Sequence, residues 1–220
     1  GLDEGITGIY LPAWTYDSAT RTAYTGARGT YYYTTEMYTT NVNGKPVTRS
    51  RQVRHTRWSG ASGVVNNKFD DVLVLASKSL PAELVHKLEP WDLKSVVAYS
   101  DDYLSGFRAE SYQVDLGAGF ESARAMMNPV IRATIASDIG GDEQRIDTMK
   151  VQYNDITYKH LLLPVWISAY RYHNKVYRFL VNARTGEVQG DRPYSAWKIA
   201  SLVVGILVAV LVIGLIASRQ

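Results

Sequence analysis

The chain has 220 residues, of which 46% are hydrophobic and 20% are charged. This composition supplies enough apolar side chains for a folded core and argues against an intrinsically disordered chain. The formal net charge of +3 is too small to indicate a nucleic-acid partner by itself. Because the sequence contains no Cys, a disulfide, a Cys-ligated zinc site, an iron–sulfur cluster and a thiol nucleophile are excluded for this chain.

Residues up to Leu75 predict an antiparallel β-meander. Four runs rich in Thr, Tyr and β-branched residues, which are typical of strands, cover 6–16, 29–40, 46–58 and 64–75. Thr25-Gly26 has turn chemistry between the first two runs. Asn43-Gly44 is a strong signal for a two-residue hairpin turn between the second and third runs.

The middle of the chain predicts helices. Pro81–Leu88 begins with Pro at a suitable first helical position. Asp102–Asp138 has apolar residues at helical spacing, and we expect Pro129 to kink or split this helix and Gly140-Gly141 to end it. Asp101-Asp102 lies where a helix N-cap belongs, so capping explains this acidic pair.

Strand patterns return over 144–158, 161–172 and 176–182. The order β-meander, helices, β-meander predicts an α+β fold over residues 1–190, with one mainly antiparallel sheet and a helical insert. A C-terminal transmembrane helix completes the predicted fold class.

Ile199–Ser218 predicts this membrane helix because it contains 20 residues without a charge. At about 1.5 Å per residue the run is about 30 Å long, which matches the hydrocarbon core of a bilayer. Residues 191–198 precede it as a short interfacial linker. Aromatic and cationic residues suit an interfacial anchor and glycines suit helix packing, so the predicted anchor residues are Tyr194, Trp197, Lys198, Gly205, Gly214 and Arg219.

The cations that flank this run favour a cytoplasmic N-terminal domain. Arg184, Arg192 and Lys198 precede the run, whereas Arg219 alone follows it. The more positive side of a membrane helix stays in the cytoplasm. A single helix without an intramembrane charge forms no transport path, so the sequence predicts an anchor.

No arrangement of residues in the sequence predicts an active site. The four histidines have no spacing that places two of them on one helical face, and no phosphate-binding or nucleophile motif occurs. Adjacent residues of a regular strand point to opposite faces, so Asp70 and Asp71 are not expected to share one site. The sequence therefore predicts a non-enzymatic protein without catalytic residues, a metal or a cofactor.

Cations are concentrated in and just before the third predicted strand. They are Lys45, Arg49, Arg51, Arg54 and Arg57, and no acidic residue lies between positions 45 and 58. Strand alternation puts Arg49, Arg51 and Arg57 on one face and Arg54 on the other. Such a face suits the phosphates of nucleic acid or of anionic lipid. The alternative is a solvated edge strand whose cations oppose aggregation.

Aromatic residues are the other excess, with 16 Tyr and 5 Trp. Tyr31, Tyr32 and Tyr33 follow one another in the preceding strand, so at least one of their rings lies away from a core. Tyr is favoured at protein interfaces because it combines a large contact area with a polar tip. We therefore assign these tyrosines, with the five cations, to a predicted partner surface. The alternative is an ordinary Tyr-rich sheet surface.

Several motifs occur in an order that resembles one bacterial family. They are GIYLPAWTYD (Gly8–Asp17), the Tyr-rich run after Gly29, FDDVLV (Phe69–Val74), LEPWDL (Leu88–Leu93), GGDEQRI (Gly140–Ile146), LLLPVW (Leu161–Trp166) and NARTGEVQGDRPYSAWKI (Asn182–Ile199). Over nearly its whole length the chain is similar to bacterial membrane-anchored zinc-ribbon proteins, of the TFIIB-type zinc-finger class. Members of that family have Cys-x-x-Cys zinc ribbons ahead of the first motif. This chain has no Cys, so no zinc site is carried over.

The resemblance implies a protein that recruits partners to a membrane. Some family members are encoded beside flotillin-like or phage-shock-type proteins, which implies such proteins, or an integral-membrane complex, as partners in addition to the lipid bilayer. The sequence as a whole predicts a single-pass protein of the bacterial inner membrane. Its cytoplasmic domain is expected to bind other proteins, as a scaffold or accessory subunit, and nucleic acid is not the expected partner. The alternative is a module that binds anionic lipid or nucleic acid through the Arg49–Arg57 strand.

Overall fold

A computed structural model describes residues 2–42, 44–172 and 175–190. In chain order the elements are β1 (Leu2–Val42), β2 (Lys45–Leu75), α1 (Ala82–His86), two short 3-10 helices (Leu93–Ser95 and Asp101–Leu104), β3 (Phe107–Ala109), α2 (Leu116–Ile139), β4 (Glu143–Tyr172), β5 (Lys175–Asn182) and β6 (Val188–Gly190). The strands form one sheet in the order β2-β1-β4-β5-β6, with β3 beside β1. Pairing is antiparallel between β1 and β2, β4 and β5, and β5 and β6, whereas β3 is parallel to β1.

The described residues form two compact units, each built from distant parts of the sequence. The first unit contains residues 2–10, 79–110 and 163–190. The second unit contains Leu11–Lys78 and Ser111–Leu162. Strands β1 and β4 therefore each contribute residues to both units.

In the second unit, α2 covers one face of the sheet. The buried residues of α2 recur every four positions and are Gly119, Ala123, Met127, Ile131, Ile135 and Ile139. This spacing places them along one side of the helix. They pack in one core with Tyr16 of β1 and with Val65 and Phe69 of β2. Burying one Ile side chain contributes about 2 kcal/mol, so this stripe of the helix is a main source of the unit's stability.

Both ends of α2 are fixed by specific contacts. The Asp115 side chain accepts a hydrogen bond of 2.8 Å from the Ala118 N–H and caps the first turn. The Tyr16 hydroxyl donates a bond of 2.7 Å to the Leu116 carbonyl and joins the same end to β1. The helix stops at Gly140, whose φ of +64° suits glycine. The predicted end of the helix at Gly140-Gly141 is confirmed.

One buried amide organises the first unit. The Asn182 side chain, which is fully buried, donates to the carbonyl oxygens of Leu88 at 3.0 Å and Pro90 at 3.4 Å. Its Oδ1 accepts from the N–H groups of Arg184 at 2.9 Å and Thr185 at 3.2 Å. A single side chain therefore joins the end of β5 to the segment that follows α1, and it satisfies four backbone groups.

The predicted pair of β-meanders was wrong. β1 is one strand of 41 residues and β2 one strand of 31, where the sequence predicted four shorter strands. In the sheet β1 lies beside β4, so the two strands at the centre of the sheet are not consecutive in the chain. Gly26, predicted to lie in a turn, lies inside β1, and a Cβ atom built on it would overlap the Arg145 carbonyl oxygen. This glycine permits a close approach of backbone rather than a turn.

The helical insert also differs from the prediction. α2 runs unbroken through Pro129, which lies on the exposed side of the helix, where water can reach the carbonyl group that loses its N–H partner. The predicted start of this helix at Asp102 was wrong, because Asp101–Leu104 forms only a short 3-10 helix. The cap of that helix is Ser100, whose hydroxyl accepts from the Asp102 N–H at 3.4 Å. The acidic pair therefore follows the cap and does not form it.

The membrane part of the predicted fold class is not supported. Within residues 2–42, 44–172 and 175–190, no helix has the length and apolar character that crossing a membrane requires. The predicted linker, the helix Ile199–Ser218 and all six anchor residues lie outside the described residues. The predictions of a single-pass membrane protein and of an inner-membrane location with a cytoplasmic domain therefore lose their support.

Candidate functional site

The far end of the β1–β2 hairpin forms a long two-stranded ribbon, which we call the arm (Thr30–Trp58). The two strands pair from Thr30 opposite Arg57 to Val42 opposite Lys45. At about 3.3 Å per residue the arm is about 40 Å long. None of the arm residues whose burial the structure describes is buried. Both faces of this ribbon therefore meet solvent.

Positive charge is concentrated in the arm. It contains five cations and one carboxylate, Glu36, which give a net charge of +4. The whole chain has a net charge of +3, so all other residues together sum to −1. The arm therefore has a charge opposite to that of the rest of the chain, and it will attract anionic groups selectively.

One side of the ribbon, which we call the arginine face, combines cations with aromatic rings. The register and the strand alternation place on it Tyr32, Glu36 and Tyr38 of β1 with Lys45, Arg49, Arg51, His55 and Arg57 of β2. The Arg57 guanidinium lies over the Tyr32 ring at 5.2 Å from its centroid. The Arg51 guanidinium lies over the Tyr38 ring at 5.7 Å.

Stacking on tyrosine restricts the orientations of both guanidinium groups, and Arg57 keeps its N–H edges available. An Arg fork that is held in place loses less side-chain entropy when it binds a carboxylate or phosphate. Arg51 already pairs with Glu36 at 3.0 Å. Within the described part of the chain, Arg49 and Arg57 of this face make no ion pair. The arginine face therefore retains unneutralised donors that face solvent.

The opposite side of the ribbon contains Tyr31, Tyr33, Met37 and Arg54. The Arg54 guanidinium lies 4.3 Å from the centroid of the Tyr31 ring. The Tyr31 hydroxyl donates to Glu143 at 2.8 Å, which raises the pKa of Tyr31 and ties the base of the arm to the start of β4. Tyr33 and Met37 are 60% and 73% exposed, so this face also presents apolar surface.

A second cluster, which the sequence reasoning missed, lies where β1 and β2 pair irregularly. Asp17 of β1 faces both Asp70 and Asp71 of β2, because Tyr16 pairs with Val72 and Ser18 with Phe69. The expectation that Asp70 and Asp71 cannot share a site was wrong. It assumed a regular strand, whereas this bulge brings oxygen atoms of all three carboxyl groups within 4.8 Å of one another.

Internal partners already bind two of the three carboxylates of this acidic bulge (Asp17, Asp70 and Asp71). Asp17 accepts from the Asp71 N–H and from the Thr157 hydroxyl, both at 2.8 Å. The Lys159 ammonium lies 2.6 Å from Asp71. Asp71 has a φ of +51°, which Asp tolerates better than most residues. The cluster acts as a tie between β1, β2 and β4.

The acidic bulge should make stability depend on pH in the acid range. The Asp71 backbone N–H lowers the pKa of Asp17 below its ordinary value of 3.8, with help from Thr157 and Lys159. A lowered folded-state pKa means that this stabilisation is present above pH 3.8 and is lost as pH falls through the folded pKa. Urea midpoints from neutral pH to below pH 3.8 should therefore fall less steeply for Asp17→Asn than for the wild type. Glu83→Gln, at an exposed carboxylate of α1 outside this cluster, is the control. Equal slopes for Asp17→Asn and the wild type would contradict the assignment.

Comparisons with known proteins leave the function open. No protein-family model matches the chain, and no solved structure matches it. An uncharacterized protein of Bacillus subtilis (strain 168), YdjG, is 26% identical over 206 residues. The match covers 92% of this chain but 56% of the relative, so the chain spans little more than half of the relative's length. The resemblance to the zinc-ribbon family stays a prediction.

Proposed function

We propose that this chain is a protein-binding module and that the arm binds an acidic surface of a partner protein. The observation that supports this function is the exposure of the whole arm. A two-stranded ribbon alone is at best marginally stable in water, because it buries little apolar surface. An arm of about 40 Å with unburied rings and guanidinium groups suits a surface that a partner covers.

The composition of the arm favours a protein over other anionic partners. The central residues of protein interfaces are enriched in Tyr, Trp, Met and Arg and depleted in Lys, Glu, Asp, Ser and Ala. The arm has four residues each of Tyr and Arg, together with Met37 and Trp58. It has one residue each of Lys, Glu and Ser, and it contains neither Asp nor Ala. Arg and aromatic residues are also the types that supply most binding energy in such interfaces.

Binding of a labelled acidic polypeptide tests this function. Poly-L-glutamate serves as the probe for the full 220-residue chain, with Arg49→Glu/Arg51→Glu as the arm variant. Lys68→Glu/Lys150→Glu is the matched control, because it reverses two exposed cations of the sheet outside the arm. We expect the arm variant to bind at least about tenfold more weakly, a loss of about 1.4 kcal/mol, and the control to bind like the wild type. Equal affinity of the arm variant and the wild type would overturn the proposal.

A nucleic acid is the second candidate partner, and one observation favours it. A two-stranded ribbon fits the major groove of DNA, and three arginines of the arm lie along one side of such a ribbon. Titration of the same variants with a DNA duplex and with anionic vesicles separates these partners. Binding that is stronger to duplex than to poly-L-glutamate, and that weakens steeply with salt, would favour the nucleic-acid function. Preference for the polypeptide would favour the protein-binding function.

A further inference from the structure

The first unit has an exposed segment whose chemistry complements that of the arm. This acidic loop (Val96–Leu104) contains Asp101 and Asp102 and no cation, so its charge is −2. Its backbone is extended at Val96 and at Ser100. Most large apolar and aromatic side chains of the loop lie at the surface: Val96 is 50%, Val97 63%, Tyr99 62% and Tyr103 50% exposed.

The carboxylates of this acidic loop are available to a partner. Within the described residues, neither Asp101 nor Asp102 makes an ion pair. The Tyr99 hydroxyl donates to Asp101 at 2.7 Å, and the Ser100 hydroxyl lies 3.3 Å from Asp102. These neutral partners leave both negative charges in place. The loop therefore offers two carboxylates beside exposed apolar side chains, which is what the arginines and tyrosines of the arm can bind.

We infer that the acidic loop of a second copy of this chain binds to the arm. This inference rests on the proposed function of the arm and names the partner. Two carboxylates of the loop would pair with guanidinium groups of the arginine face, in bidentate geometry that Arg favours. Val96, Val97 and Tyr99 would then lie against arm residues that are otherwise exposed, and this contact removes apolar surface from water.

Charge disfavours a symmetric alternative in which two arms pair with each other. Each arm has a net charge of +4, so arm-to-arm pairing brings like charges together, whereas arm-to-loop pairing joins +4 to −2. The arm and the loop are different surfaces. Two copies that each place the arm on the other's loop close a two-fold dimer, whereas contacts that are not reciprocated propagate into a ring or a filament.

The first test of self-association measures the average mass of the full chain at several protein and salt concentrations. We expect the mass to rise with concentration in about 0.1 M salt and the rise to disappear in about 1 M salt, where the Debye length falls from about 10 Å to about 3 Å. Arg49→Glu/Arg51→Glu and Asp101→Lys/Asp102→Lys should each abolish the rise, because one removes a binding arm and the other a binding loop. Lys68→Glu/Lys150→Glu should behave like the wild type.

Mixing the two inactive variants provides a sharper test. The arm variant keeps a normal loop and the loop variant keeps a normal arm, so an equimolar mixture should form a dimer that cannot extend. Neither variant alone should form it. Circular dichroism and urea midpoints equal to those of the wild type would confirm that both variants fold. A mixture that stays monomeric would overturn the inference.

Failure of this inference is distinguishable from failure of the proposed function. A wild-type chain whose mass is the same at every salt concentration, but whose arm still binds poly-L-glutamate, would exclude a second copy as the partner. The arm would then remain a docking element for another acidic protein. If the wild type and the arm variant do not differ in either measurement, both proposals are overturned.

Discussion

Gly26→Ala is expected to lower the free energy of unfolding by about 3 kcal/mol. A Cβ atom at this position would overlap the carbonyl oxygen of Arg145. The same Cβ atom would lie 3.1 Å from the Ile139 side chain. A main-chain oxygen inside a sheet cannot rotate away as a side chain can, so the strands would have to separate. Gly26 lies four residues before the arm, so this change should also loosen the arm's base.

Urea unfolding of the full chain measures this effect, with Gly60→Ala as the matched control. Gly60 lies inside β2, and a Cβ atom there would meet nothing within 4 Å. Because Gly is also less favourable than Ala in a strand, we expect the control to change the free energy of unfolding by no more than about 0.5 kcal/mol in either direction. Similar values for Gly26→Ala and Gly60→Ala would show that close contact does not explain the glycine in β1.

Asn182→Leu should destabilise the first unit by about 3 kcal/mol. Leu has the same branched arrangement of four side-chain heavy atoms as Asn, but it can neither donate to the Leu88 carbonyl nor accept from the Arg184 N–H. These backbone groups would then be buried without a partner, and each such group costs roughly 1–3 kcal/mol.

Asn154→Leu is the control for this change, since it makes the same chemical substitution at an exposed position of β4. Thermal or urea unfolding should show a large loss for Asn182→Leu and a change of no more than about 0.5 kcal/mol for Asn154→Leu. A loss of similar size at both positions would mean that the buried amide network contributes little.

Signals from neighbouring residues predicted the turn and the helix end correctly. They failed at Gly26, where a segment that is distant in the sequence determines the conformation of the backbone. The hairpin that pairs Val42 with Lys45 follows from the Asn-Gly sequence between them, and the end of α2 follows from Gly140. Thr25-Gly26 has the same local chemistry as a turn, yet β4 passes close to it and keeps it in a strand. No residue near Gly26 in the sequence indicates that contact, because Arg145 is more than 100 positions away.

The candidate site was predictable in composition but not in shape. Five cations and three adjacent tyrosines are visible in the sequence, and strand alternation alone assigns them to faces. That β1 and β2 continue together for about 40 Å without a covering layer was not predictable, because the predicted meander would have supplied neighbouring strands. The acidic bulge was missed for a related reason, since one unpaired residue in β2 breaks the alternation on which the faces were assigned.

The arm can keep the direction of its arginine face only if its length changes by an even number of residues per strand. The arginine face exists because successive residues of a strand point to opposite sides. Insertion of one residue into each strand at the base would keep every pair but turn that face to the other side of the sheet. Insertion of two residues per strand would restore its direction and lengthen the arm by about 7 Å. Homologous chains are therefore expected to differ in arm length by even numbers of residues per strand, and an odd difference would mark a chain whose partner approaches from the other side.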